Sequence, residues 1–278
     1  MEKSELLISS GLEFKAYQPS ANYYAEFKNI LKNKERYKQK LTNQGFLVVR
    51  NLLDKEKIEI LRDLYYQKFK EEYKKLNSRW IQLKEPKDSH GYGNHPVKNY
   101  LKSDFFIKFV NDPFLKIIVS ILLGSEETVL SKRILVRSFS SLSSYTTPAH
   151  RDKEYYVSSN PSQALTAWIP LGNADKEHGQ LVYLENSHKL KLIDKSKKEK
   201  KDRIISRDLN RLAMSKKSKW LIPNINSGDV IFHCLKTVHA SFDSNTIVPR
   251  LSCDLRFAST EKYLDPRWND YWYGEDGL

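Results

Sequence analysis

At 278 residues, 40% of them hydrophobic and 29% charged, the chain has material for one large core or two modest ones and is too apolar for wholesale disorder. Its most apolar run, residues 114–123, is interrupted by Lys116 and spans about half of what a bilayer needs, so no transmembrane span is expected. The formal net charge of +13 is concentrated: residues 189–220 hold 13 Lys/Arg against 4 Asp/Glu, a balance of +9 that leaves +4 for the rest. Basicity therefore belongs to one lysine-rich segment, read as a solvated excursion, with steering of an acidic substrate as the alternative.

Taken in chain order, Gly45-Phe46-Leu47-Val48-Val49 reads as a short buried strand. Asp54 is a plausible N-cap, and Ile58, Leu61, Tyr65, Phe69, Tyr73 and Leu76 follow at helical spacing, which predicts one helix through residue 76. Residues 105–123 predict a second helix, stopped by Gly124. The glycine-rich stretch from Asp88 to His95 reads as a loop, with a lid over the site as the alternative.

From about residue 127 the pattern changes to short strands at 129–139, 164–169, 180–184, 229–234 and 250–257. The last alternates cleanly. Leu251, Cys253, Leu255 and Phe257 share one face, and Arg250, Ser252, Asp254 and Arg256 share the other. Helices first and strands later predict an α+β fold with a β-sandwich or barrel as its chemical half. No domain boundary is visible, so residues 1–278 are expected to form one domain. It would have a helical part to about 125, a strand-rich part at about 126–260 and an aromatic tail at 261–278.

Cys234 and Cys253 make neither a disulfide framework nor a C-x-x-C zinc spacing, and only Leu6-Leu7-Ile8 is apolar near the N-terminus. The expected setting is a reducing cytoplasm.

Among the seven histidines, His150 and Asp152 form an H-x-D that places two metal-ligand types on one side of an extended segment. His233 and His239 lie beyond Gly228-Asp229 and compete for the third position. Two imidazoles and a carboxylate can cap one face of ferrous iron and leave three positions open; zinc can use the same set. His178, in a polar loop, is expected to be solvated, and His188 to stabilise a turn.

An ordered series extends this pattern: Gly45 to Val49 with the helix after it, His150-x-Asp152, Trp168-Ile169-Pro170-Leu171, Gly179-Gln180-Leu181, Asn186-Ser187-His188-Lys189, Gly228-Asp229, His239-Ala240-Ser241, Asn245, Arg250 and Arg256-Phe257-Ala258-Ser259. The series resembles the phytanoyl-CoA dioxygenase family of Fe(II)/2-oxoglutarate-dependent oxygenases over roughly residues 40–259. The resemblance implies a double-stranded β-helix (jelly-roll, cupin-like) core flanked by N-terminal helices. It further implies Fe(II), 2-oxoglutarate and O2 as the reaction's requirements, with succinate and CO2 released as a small-molecule C–H bond is oxidised. His150, Asp152 and His239 are then the metal ligands, and His233 a packed neighbour.

Arg250 is implied to grip the distal carboxylate of 2-oxoglutarate with two parallel donors. Ser241, Trp168 and Arg137 would join it at the co-substrate site, while Arg151, Tyr155 and Arg256 would border a polar or anionic substrate. Asp152 argues for hydroxylation or a related oxidation, because related halogenases have a small residue there. The chain departs from the family at Glu185-Asn186-Ser187-His188, where Pro-Gly-Ser-His is usual, and at Arg151, where Gln is common. The alternatives are a catalytically silent jelly-roll that binds a metal or ligand, and a nucleic-acid binder using the segment at 189–220.

Overall fold

The computed structural model describes residues 4–85, 97–155, 160–172, 174–193 and 203–260. The chain opens with β1 (Ser4–Ser9), β2 (Leu12–Tyr17), β3 (Tyr24–Glu26), α1 (Phe27–Lys32), α2 (Lys34–Gln44) and β4 (Phe46–Arg50). There follow α3 (Lys55–Lys68), β5 (Tyr73–Leu76), β6 (Arg79–Gln82), α4 (Val97–Leu101), α5 (Asp104–Val110) and α6 (Pro113–Leu123). The strand-rich half comprises β7 (Val129–Leu130), β8 (Leu135–Phe139), β9 (Ala164–Pro170), β10 (Leu181–Leu184), α7 (Leu209–Ser215), β11 (Trp220–Leu221), β12 (Val230–Cys234), β13 (His239–Ser241) and β14 (Arg250–Ala258).

Two sheets face each other. The larger runs β3-β4-β12-β9-β14-β7, with β8 also on β14, and the smaller runs β1-β2-β11-β10-β13. Strand periodicity sorts the side chains. On the outer face of the large sheet, Leu47, Val49, Leu165, Ala167, Ile169, Phe232, Leu251 and Leu255 pack in one core with Leu41, Ile58, Leu61, Phe106, Leu115 and Ile118 of the helices. The inner-face residues Phe46, Val48, Trp168 and Ile231 meet Leu181, Tyr183 and Leu221 of the small sheet. This is the jelly-roll with flanking helices that the family resemblance implied, and the alternation of β14 holds along its length.

Several local expectations are corrected. The helix after Asp54 stops at Lys68, with Asp54 capping the Glu56 and Lys57 amides as expected. Tyr73 and Leu76 instead belong to β5, paired with β6 across a turn in which Asn77 (φ 44°) and Ser78 (φ 66°) are both left-handed. Such a two-residue turn matches the twist of a hairpin, so turn chemistry overrode a helical spacing carried on too far. The second predicted helix is two, α5 and α6, because Pro113 has no amide to continue a helix and Asp112 caps the new start through the Phe114 and Leu115 amides. Gly124 closes α6 in the left-handed conformation as predicted.

The N-terminal part is not purely helical. β2 joins the small sheet beside β11, a parallel pairing that places Ala16 opposite Trp220. Nor is the basic segment wholly a solvated excursion, for α7 packs near β2 and fully buried Trp220 donates its indole N–H to the Leu209 carbonyl at 2.8 Å. The Asp88–His95 stretch and the tail at 261–278 lie outside the described residues.

Candidate metal centre

The two halves of the H-x-D…H pattern come together through backbone pairing. His150 and His239 form an isolated antiparallel bridge, His150 N–H donating to the His239 carbonyl at 3.0 Å and His239 N–H to that of His150 at 3.1 Å. Their rings lie 4.2 Å apart, centroid to centroid. Asp152 sits at the start of a short 3-10 turn that carries its side chain to both imidazoles. Oδ1 is 3.8 Å from His150 Nε2 and 3.7 Å from His239 Nε2. One ligand atom from each of the three residues falls within 4.8 Å of the others, and all three residues are buried.

Hydrogen bonds define the tautomers. His150 Nδ1 lies 2.9 Å from the Pro148 carbonyl and His239 Nδ1 lies 3.0 Å from that of Thr237. A carbonyl only accepts, so both rings carry their proton on Nδ1 and turn a bare Nε2 lone pair toward Asp152. Burial lowers both imidazole pKa values, that of His239 strongly and with help from the neighbouring His150 and His233, which favours the neutral ligand form. Two neutral imidazoles and a carboxylate suit iron.

Asp152 is itself tightly held. Thr166 donates to Oδ2 at 2.5 Å, His233 Nε2 lies 3.4 Å from that oxygen and Arg256 Nε lies 3.5 Å from it. Burial alone would raise this carboxyl's pKa, yet the Arg256 guanidinium and the His233 imidazole hold it well below the ordinary carboxylate value. With Oδ2 occupied, Oδ1 is the oxygen left to face the histidine pair. His233 in turn meets the Tyr183 hydroxyl through Nδ1 at 3.3 Å and stands behind the site.

The cavity beside the triad is lined by His150 and His239 together with Arg137, Thr147, Trp168, Leu181, Arg250, Ser252, Asp254 and Arg256. The four polar residues on the inward face of β14, Arg250, Ser252, Asp254 and Arg256, are thus all present. Arg250 is 97% buried, its guanidinium 5.4 Å from the Phe139 ring and 5.6 Å from that of Trp168. Its Nε and Nη1 have no hydrogen-bond partner among the described residues. Burial, with Arg137 nearby, pushes its pKa down to about 10. Arg137 bonds Thr147 Oγ1 at 3.2 Å and lies 4.0 Å from Asp254.

Other expectations are redirected. Arg151 is not among the residues that line the cavity; it is buried against Glu154 and the Ile193 carbonyl, so its expected substrate contact is not supported. Tyr155 sets its ring 5.7 Å from that of His150 but does not line the cavity; it packs on a small cluster containing Leu135 and Leu235. Arg256 lines the cavity, yet its near partner is Asp152 rather than open space. Ser241 is turned to the backbone, where its hydroxyl accepts from the Thr147 amide at 2.9 Å. Likewise His178 is buried rather than solvated, 2.6 Å from Asp175.

Several members of the motif series support the site from outside. Ser187 accepts from the Val238 amide at 2.9 Å, just before His239, and His188 Nε2 lies 2.9 Å from the Thr42 carbonyl. Asn186 takes the left-handed conformation (φ 55°) at the position where the resemblance places glycine, a role asparagine tolerates. Asp229 accepts from Arg50 and from the Asn51 and Asn226 amides, which locks β12 to β4.

The chain belongs to the phytanoyl-CoA dioxygenase (PhyH) family, whose sequence model matches residues 41–251, and is an oxidoreductase enzyme. No curated protein sequence matches it. Among solved structures, EctD from S. alaskensis in its apo form is 16% identical, with 99% of this chain and 94% of that chain covered at a TM-score of 0.63. The epimerase SnoN of nogalamycin biosynthesis, in complex with Fe3+, alpha ketoglutarate and nogalamycin RO, is 20% identical over 82% of this chain and 84% of its own, with a TM-score of 0.60. The carbocyclase SnoK of the same biosynthesis is 19% identical over 91% and 90%, also at 0.60. At these identities the likeness shows a shared fold. Among the described residues no helix is long and apolar enough to cross a membrane.

Proposed function

We propose that this chain is an Fe(II)- and 2-oxoglutarate-dependent dioxygenase that hydroxylates, or otherwise oxidises, an unactivated C–H bond of a small polar metabolite. The observation that carries this reading is the juxtaposition of the His150–Asp152–His239 group with the unpartnered guanidinium of Arg250 in one buried cavity. The named iron and alpha ketoglutarate complex of SnoN, a protein of the same fold, agrees with it. The reading takes residues 1–278 as one oxygenase unit, and the free thiols of Cys234 and Cys253 suit a reducing cytoplasm.

His150 Nε2, His239 Nε2 and Asp152 Oδ1 would hold the metal, and Arg250 the far carboxylate of the co-substrate. Ferrous iron with 2-oxoglutarate and O2 supplies the oxidising power, with succinate and CO2 as co-products. The protein's part is to bind and orient. Thr166, His233 and Arg256 aim Asp152, and the Pro148 and Thr237 carbonyls aim the imidazoles. Trp168 and Phe139 wall the Arg250 guanidinium and keep water from competing for its donors. Arg137, Thr147 and Asp254 give the remaining wall a polar, charged character, which favours a polar substrate over a plain alkane.

The test is anaerobic loading with Fe(II) and 2-oxoglutarate, admission of air in the presence of a metabolite library, and measurement of succinate and products. Succinate coupled to a product gaining one oxygen atom is expected. Asp152→Ala should reduce both to background; full activity in that variant would refute the ligand assignment.

A further inference from the structure

We propose that a second cavity, between α3 and the β5–β6 hairpin, is a binding site for a small aromatic carboxylic acid, its carboxylate held by Arg62 and Arg79 and its ring set on Trp80. The cavity encloses about 330 Å³ and takes its walls from α3, from β6 and the turn before it, from the loop before β10 and from residues 246–249. None of its lining residues lines the metal cavity. Hydrogen bonds fix these walls to one another. The Tyr66 hydroxyl donates to the Pro249 carbonyl at 3.1 Å and the Gln82 amide to that of Ile247 at 2.8 Å. The Asn245 amide and the Ser244 hydroxyl both donate to the Glu177 carbonyl, at 2.9 and 3.0 Å. A ligand would therefore meet a preformed site.

The lining holds more cationic donors than the protein satisfies. Arg62 pairs only loosely, with Nε 3.7 Å from Asp63 Oδ1, and that buried Nε has no hydrogen-bond partner among the described residues. Asp63 is already committed, accepting from Lys75 Nζ and Trp80 Nε1 at 2.7 Å each. Gly172 makes room for the guanidinium: at φ 133°, a Cβ there would stand 3.1 Å from Arg62 Cδ and Nη1. Arg79 is exposed and forms no ion pair among the described residues. Glu177 is the single acid in the lining, so the cavity is net positive, and a guanidinium fork matches a carboxylate. Trp80 and Tyr66, their rings 5.3 Å apart and tilted by 40°, form a flat apolar surface with Val248 and Pro249. His178, 8% exposed, also lines the cavity; Asp175 orients it through Nδ1 at 2.6 Å, and its Nε2 has no partner among the described residues. A carboxylate accepts, so Nδ1 carries the proton and, in the neutral ring, Nε2 offers its lone pair to a ligand hydroxyl.

The experiment is an anaerobic calorimetric titration of the Fe(II)-loaded full chain with two probes: 4-hydroxybenzoate, and 4-hydroxybenzamide, which keeps the ring and hydroxyl but not the charge. Saturable binding of the acid is expected, with the amide about tenfold weaker. Arg62→Gln should weaken the acid about tenfold while Fe(II) affinity stays at the wild-type value, which also reports that the variant is folded. Arg250→Gln should leave the acid's affinity unchanged, because that arginine lines the other cavity. Absence of saturable binding to wild type, or an amide that binds as tightly as the acid, would overturn the assignment. So would equal affinity in wild type and Arg62→Gln, or a loss in Arg250→Gln, either of which puts the acid outside this cavity.

Discussion

At the metal end of the cavity, Asp152 Oδ2 already meets Thr166, His233 and Arg256, and the histidine Nδ1 atoms already meet backbone carbonyls. At the other end, Arg250 Nε and Nη1 and Ser252 Oγ have no hydrogen-bond partner among the described residues. Both ends are built from the same inward face of β14, with Arg256 at one and Arg250 at the other. The contrast separates two tasks. A metal ligand has to be aimed before the metal arrives, so its spare atoms are consumed by the protein. A ligand-binding arginine has to keep its donors available, so the fold leaves them unsatisfied in a buried pocket, where a charge-assisted bond is worth most.

The contrast predicts separable losses. The larger belongs to Arg250→Gln, which removes the charge that receives a carboxylate. Its 2-oxoglutarate affinity should fall on the order of a hundredfold while Fe(II) affinity stays near wild type, as read by paired anaerobic titrations. If Fe(II) affinity falls in parallel, the two ends are one coupled unit and the separation fails. Arg256→Gln should do the reverse. Loss of the guanidinium beside Asp152 is expected to lower Fe(II) affinity about 10- to 100-fold, with 2-oxoglutarate affinity retained once metal is saturating. A variant that binds Fe(II) normally but fails only in substrate turnover would return Arg256 to the substrate-contact role that strand parity had suggested.

What the sequence reveals follows the same physical division. The alternation of β14 is legible because a strand's period of two puts Leu251, Cys253, Leu255 and Phe257 into the core and Arg250, Ser252, Asp254 and Arg256 into the cavity without exception. His150, Asp152 and His239 were legible as an ordered motif, and the structure brings them together. The direction of each cavity side chain was not. Arg256 and Arg250 look equivalent by parity, and only the arrival of Asp152 from a separate loop gives one of them a partner. Adjacency to two ligands says nothing about facing: Arg151 pairs with Glu154 and is not among the residues that line the cavity. The hairpin of β5 and β6 was hidden because Tyr73 and Leu76 continue the helical spacing of α3, while the deciding Asn77-Ser78 turn carries no glycine to mark it.

The smallest expected effect belongs to Ser241. Ser241 and Ser252 are both buried serines on inner strands, and the motif alone favours Ser241 for the co-substrate site. The Ser241 hydroxyl accepts from the Thr147 amide, and its carbonyl accepts from the Ser9 hydroxyl at 2.9 Å, so its work is to tie β13 to the segment that leads into His150. Ser241→Ala removes an acceptor from a part-buried amide and should cost on the order of 1 kcal/mol of stability, read as a lower urea midpoint. Because its oxygen does not line the cavity, 2-oxoglutarate affinity should stay within about twofold of wild type, less than one hydrogen bond to a charged group would give. A tenfold loss of 2-oxoglutarate affinity at unchanged stability would restore Ser241 to the co-substrate site, and the open end of the cavity would then have to extend to β13.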